Sequence, residues 1–209
     1  MKLDELMKHK SLDFEPQAFS SDNEKSIKVR DANYLEFIKA FNGGYFYNNS
    51  LILFGFSKEK NSQFNIVYMN DVFNEHYQNL VEGLYFFGQD VFGNPFAFKD
   101  GKIVFFNLES GDLEIIANDF EEWLDVLYND LDYYTGKSLA LELSVNQRKG
   151  LAVDRRLCPK YPFILGGDYT IANLTLKDYR ENVAYNSDIA KQVYNLPEGS
   201  KIKIVIKNE

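Results

Sequence analysis

The sequence predicts an α+β chain built around an antiparallel meander. Three observations predict it. Four short apolar segments, LYFF (84–87), PFAF (95–98), KIVFF (102–106) and LEIIA (113–117), follow one another closely. The stretches between them, Gly88 to Asn94, Lys99-Asp100-Gly101 and Glu109-Ser110-Gly111-Asp112, are rich in residues that favour tight turns and positive φ. Helical periodicity stands before and after this block, so strands and helices are grouped in runs.

Taken in order, the first thirty residues are polar and lack periodicity until IKV at 27–29, which reads as a loosely packed N-terminal arm. From Asp31, a candidate cap, Tyr34, Leu35, Ile38 and Phe41 recur at helical spacing, and Asn42-Gly43-Gly44 supplies a left-handed stop. YFYNN and LILFGF have strand composition, with Asn48-Asn49-Ser50 as the turn between them. A second helix runs through 70–80, with His76 on its apolar face. The meander follows. Its closing helix, NDFEEWLDVLYNDL, carries Phe120, Trp123, Leu124, Leu127 and Leu131 on one stripe, which should lie on the sheet and leave the acids in water. Asn118 with Glu121 makes a capping-box-like start.

Beyond Tyr134 the pattern weakens. Residues 136–149 suit a helix, RRLCPKYPFILGGDYTIANLTL reads as an ordered connection, and 180–194 is helical through Val183, Ile189, Ala190 and Val193. A final strand alternates Ile202, Ile204 and Ile206 with lysines.

Composition bounds the function. Apolar residues make up 45% of the 209, with 18 Phe and 14 Tyr, which is enough large side-chain burial to exclude wholesale disorder. No apolar run reaches the roughly 20 residues that cross a bilayer, and MKLDELMKHK is not a signal peptide, so no membrane role and a cytoplasmic location are expected. The single Cys158 reads as a small buried apolar residue. Net charge is −8, but Asp90 to Asp132 holds 11 acids against Lys99 and Lys102. Such a field repels nucleic acid and attracts a basic partner. The opposite strip, Arg148, Lys149, Arg155, Arg156 and Lys160, reads as a solvated connection that can pair with the acidic region.

The order FNGGYF, LFGF, GQDVFGNPFAF, KIVFFNLESGDLEIIA and NDFEEWLDVL, over roughly residues 31–131, resembles the SUKH superfamily. Members include bacterial immunity proteins of polymorphic toxin systems and a fungal regulator of cell-wall synthesis. The resemblance implies an α+β fold with an antiparallel sheet flanked by helices, and binding in place of catalysis. PFILGGDYTIANL and AKQVYNLPEGSKI resemble the tail of one bacterial branch. The expected organisation is a 1–30 arm, a 31–131 SUKH-like domain and a 132–209 C-terminal α/β extension on or beside it.

Chemistry offers little against this reading. His9 and His76 are the only imidazoles, no HExxH, CxxC or HxxxH zinc spacing occurs, and DVFGN lacks the lysine and Ser/Thr of a phosphate loop. Helix-face acids such as Glu121, Glu122 and Asp125 are ordinary solvated residues before they are an acid/base pair. No catalytic residue, metal or cofactor is expected. The expected partner is a cognate toxin or another, basic, protein. Its contact face is assigned to Asp90, Asp100, Glu109, Asp112, Glu114, Glu121, Glu122 and Asp125, with Tyr85 and Phe92 as aromatic anchors and Asp90 exposed. The alternative is a housekeeping or regulatory module that scaffolds some other cytosolic protein.

Overall fold

Six strands run as an uninterrupted antiparallel meander in the computed structural model, which describes residues 2–11, 19–197 and 199–202. They are β1 (Gly44–Phe46), β2 (Leu51–Leu53), β3 (Tyr85–Gln89), β4 (Pro95–Lys99), β5 (Lys102–Phe106) and β6 (Leu113–Ala117), and spatial order follows chain order. The expected four-strand meander is extended on one edge by β1 and β2, which overlap the YFYNN and LILFGF segments of strand composition.

Strand alternation gives the sheet two apolar faces. On one, Phe87 and Phe96 meet Trp123 of α5 (Phe120–Asn129) edge-on at 5.2 and 5.3 Å, and Phe120 stacks on Trp123 at 5.2 Å. Tyr34 of α3 (Ala32–Phe41) adds a ring 5.7 Å from Phe87. On the other face, α4 (Ile66–Tyr77) sets Phe73 4.5 Å from Phe86 and Tyr77 5.0 Å from Phe106. The expected Trp123 stripe is therefore the one that packs on the sheet, and α3 takes its expected Asp31 cap and left-handed Asn42 stop. At α5 the cap sits one residue later. Asp119 accepts from the Glu122 N–H, and the Glu122 carboxylate accepts from the Asn118 N–H.

The N-terminal arm is better packed than its composition suggests. Leu3, Leu6 and Met7 share one face of α1 (Lys2–Lys8), Leu6 is wholly buried, and the Lys2 carbonyl accepts from the Tyr128 hydroxyl of α5 at 2.9 Å. A short α2 (Ser21–Glu24) follows.

After α5 come α6 (Leu131–Thr135), α7 (Lys137–Glu142) and α8 (Val145–Val153), then β7 (Arg155–Pro159) and β8 (Leu174–Asp178), which pair as a separate two-stranded sheet. This corrects the reading of 155–176 as a connection only. The strand pattern is hidden because the run opens on two arginines, the second of which, Arg156, is buried, and Pro159 ends it. The last helix, α9 (Tyr179–Val193), packs on α4 and on β7. A second apolar cluster, including Val91, Phe92, Leu151 and Leu157, forms where this C-terminal part meets the β3–β4 turn. Cys158 is buried, as expected. Ile204 and Ile206 of the expected terminal strand lie outside the described residues.

Candidate functional site

The Gly-rich stretch between β3 and β4 folds as a turn closed on its own acid. Asp90 Oδ1 accepts from the Phe92 and Asn94 N–H groups at 2.8 Å each, and Oδ2 accepts from Asn94 Nδ2 at 2.9 Å. Gly93, at φ +92°, occupies the left-handed region that the turn needs. Asp90 is 1% exposed, which overturns its expected role as a solvent-facing contact. The reason lies 66 residues away. Arg156 enters this region fully buried and donates from Nε to Gln63 Oε1 at 3.2 Å and from Nη1 to the Asn49 and Asp90 carbonyls at 3.2 and 3.3 Å. Its Nη2 donates to the Leu151 carbonyl. Burial pushes the Asp90 carboxyl up to about 7, against the pull of its three donors and of Arg156. Desolvation likewise lowers the Arg156 guanidinium to about 10, which leaves it charged at neutral pH.

The other nine assigned residues do not form one face. Tyr85 and Asp100 lie in a groove at one end of the meander, opposite residues 28–31; Tyr85 is 9% exposed, so as a free aromatic anchor it is corrected too. Glu121 and Asp125 lie on α5, where Lys2 of α1 pairs with both, and Glu122 closes that helix's cap. Glu114 is exposed on the edge strand β6. Because strands alternate direction, the turn after β5 lies at the opposite end of the sheet from Asp100.

At that opposite end, Phe92, Glu109 and Asp112 come together around one opening of about 280 Å³. Its walls are the Asn107–Asp112 turn, the loop after β7, and α9. Phe163 and Tyr169 stack face to face at 3.8 Å, and Phe92 meets Phe163 edge-on at 5.3 Å, so Phe92 is a wall of the opening and not a free anchor. Glu109 is 6% exposed, against the expected exposed contact. Its Oε2 accepts from the Ile164 N–H at 2.8 Å and the Phe163 N–H also faces the carboxylate, while Oε1 lacks a hydrogen-bond partner among the described residues; burial raises the carboxyl against the pull of both N–H groups. Asn186 of α9, also in the lining, donates from Nδ2 to the Asn182 carbonyl and side-chain oxygens at 2.9 and 3.1 Å. Asn182 Nδ2 in turn donates to the Phe92 carbonyl, so both amides are held in one orientation and Asn186 Oδ1 is left without a donor.

Sequence reasoning missed Asn186, Phe163 and Tyr169. The signal was present in α9: Asn182 and Asn186 fall at helical spacing with Ile189, Ala190 and Val193, so two amides occupy a buried face. The basic strip does not survive as a unit. Arg156 is internal, Arg155 pairs with Asp154, Lys160 Nζ donates to the Ala172 carbonyl, and Arg148 and Lys149 border a cleft with Lys8, Lys10 and Lys137.

Residues 20–124 match the family model SUKH_6, described as SMI1-KNR4 cell-wall. The chain belongs to the SUKH superfamily. The match ends inside α5, so the Phe163–Tyr169 wall and Asn186 lie outside it. A similar fold appears in the crystal structure of Atu4351 from Agrobacterium tumefaciens, at 14% identity and a TM-score of 0.54, covering 90% of this chain and 88% of that one. That likeness extends the shared fold into the C-terminal part. No curated protein sequence matches the chain. No helix among the described residues is long and apolar enough to cross a membrane.

Proposed function

We propose that this SUKH protein is a non-catalytic, cytoplasmic immunity protein that neutralises a cognate toxin by covering a basic effector domain. Membership of a superfamily that includes immunity and regulatory proteins supports a binding role. The observation that carries the reading is the convergence of Glu109, Asp112 and Phe92 on one opening, with no lysine or arginine among its described lining residues. A basic protein surface meets there two carboxylates and an aromatic wall. Nucleic acid and membrane are not partners in this reading, since the net charge of −8 and the carboxylates at this opening disfavour both phosphate backbones and anionic headgroups. Complementary charge also gives an antidote speed, with association on the order of 10⁸ M⁻¹s⁻¹ at low salt.

The test is co-expression with the product of the neighbouring gene, scored for rescue from toxicity. If no neighbouring product is toxic and none binds, the reading fails. The description SMI1-KNR4 cell-wall favours a second reading, a regulatory module that scaffolds another cytosolic protein. An isolated gene whose product captures a non-toxic partner supports that reading.

A further inference from the structure

We infer that the opening between the Asn107–Asp112 turn and α9 is a receptor for a guanidinium group, filled by an arginine side chain projecting from a protein partner. The arginine's source rests on the protein-binding reading above; the chemistry of the opening stands apart from it.

Two buried acceptors carry the argument. Glu109 Oε1 and Asn186 Oδ1 belong to side chains 6% and 2% exposed, both line the opening, and neither has a donor among the described residues. A buried acceptor without a donor carries an uncompensated desolvation cost, so a ligand that brings donors recovers what the fold leaves unmade. Neither residue can satisfy itself by rotation. Asn186 is fixed by its two bonds to Asn182, and Glu109 is fixed by the Ile164 N–H. Asp112, exposed at the same opening, adds a second carboxylate.

The missing donor is cationic, and three features select guanidinium over ammonium. A planar fork with five N–H groups reaches separated acceptors at once, where an ammonium is a compact point. The parallel Phe163–Tyr169 stack, with Tyr169 63% exposed, offers a flat face of the kind guanidinium lies on. Guanidinium is also the more weakly hydrated ion, so it gives up less on entering a half-enclosed site. A cation there also offsets the desolvation that raises the Glu109 carboxyl. At about 280 Å³ the opening suits one side chain more than a peptide segment.

The experiment titrates the full chain with N-acetyl-arginine methylamide and with its neutral citrulline counterpart, following amide resonances by NMR. The expected result is arginine-induced shifts at the Ile164 N–H and the Asn186 side-chain amide, saturating in the range of about 1–10 mM as single-residue probes do, with citrulline at least about tenfold weaker. Glu109→Gln keeps an acceptor for Ile164 while removing the charge, and should erase the arginine preference. Tyr169→Ala, at an exposed ring, should weaken arginine several-fold and keeps the test open if Glu109→Gln fails to fold. Equal titration by arginine and citrulline, shifts centred elsewhere, or an arginine preference that survives Glu109→Gln and Tyr169→Ala would overturn the assignment. Where a neighbouring toxin binds, capture by Glu109→Gln protein as tight as by the parent overturns the pocket's role and leaves neutralisation standing. Arginine selectivity without any rescue from toxicity does the reverse.

Discussion

Replacing Arg156 by methionine isolates the join between the SUKH sheet and the C-terminal strands. Methionine keeps most of the buried aliphatic stem but removes the donors to Gln63 Oε1 and to the Asn49, Asp90 and Leu151 carbonyls. At about 1 kcal/mol for each of four lost bonds the loss is about 4 kcal/mol, in line with the 3–5 kcal/mol typical when one member of a buried charge pair is removed. That is a large part of the roughly 5–15 kcal/mol that holds a domain folded. At 2–4 °C per kcal/mol for a chain of this size, melting should fall by about 8–16 °C. The charge contribution has its own signature. With Asp90 near 7 in the parent, the carboxyl is mostly neutral at pH 5 and mostly ionised at pH 8, where the Arg156 charge favours the ionised form. Methionine should therefore cost more at pH 8 than at pH 5, by up to about 1.4 kcal/mol, the ceiling set by pH 8 lying one unit above the parent value. Arg156→Lys retains the charge but not the four-way reach, so it should lose about 2 kcal/mol with little pH dependence. Urea unfolding at the two pH values measures both quantities, provided the m-value is unchanged. A loss below about 1 kcal/mol, or one equal at pH 5 and pH 8, would refute the account.

Three further outcomes are expected. The Asp90 carboxyl, followed by ¹³C NMR, should titrate near 7; because its folded value lies above the ordinary 3.8, its contribution to stability is complete below about 4 and is lost as pH rises through 7, so a titration midpoint below 5 would contradict its burial. Trp123→Ala, which empties the junction of Phe87, Phe96 and Phe120, should cost about 3–5 kcal/mol and flatten the near-UV circular dichroism, while a loss under 1 kcal/mol would mean that α5 does not rest on the sheet as described. Leu6→Ala should cost about 2–3 kcal/mol and speed amide exchange in α1 ahead of the rest of the chain; unchanged exchange there would place the anchor of α1 elsewhere.

The parts of the fold legible in sequence are those in which local chemistry and tertiary role agree. Gly93-Asn94, Asp100-Gly101 and Gly111-Asp112 mark turns because positive φ is a local demand. The Trp123 stripe marks a buried face because helical spacing is local too. Asp90 and Arg156 were misread for the opposite reason. Each looks solvent-facing among its sequence neighbours, and each is buried by contact with a segment 66 residues away, so no window along the chain contains the cause. The α1 helix was passed over because its three apolar positions sit among acids and lysines that dominate the composition of so short a run.

The same distinction explains how the acidic surface was nominated and why it breaks up. Counting charge between Asp90 and Asp132 treats neighbours in sequence as neighbours in space, but a meander sends alternate turns to opposite ends of the sheet. Asp100 therefore separates from Glu109 and Asp112, and Lys2 takes up part of the charge on α5. What remains at the Glu109 end is fewer charges in a more specific setting. Asp112 keeps its solvent exposure while Glu109 and Asn186 have lost water without gaining full sets of partners, and that unmet demand is created only when the loop after β7 and α9 close over the turn. Because those elements lie beyond residues 20–124, the part matched by the family model supplies the sheet and Glu109, whereas the recognition proposed for this opening depends on the C-terminal elements. Relatives sharing the SUKH core but differing in this tail should then keep the fold and change the partner.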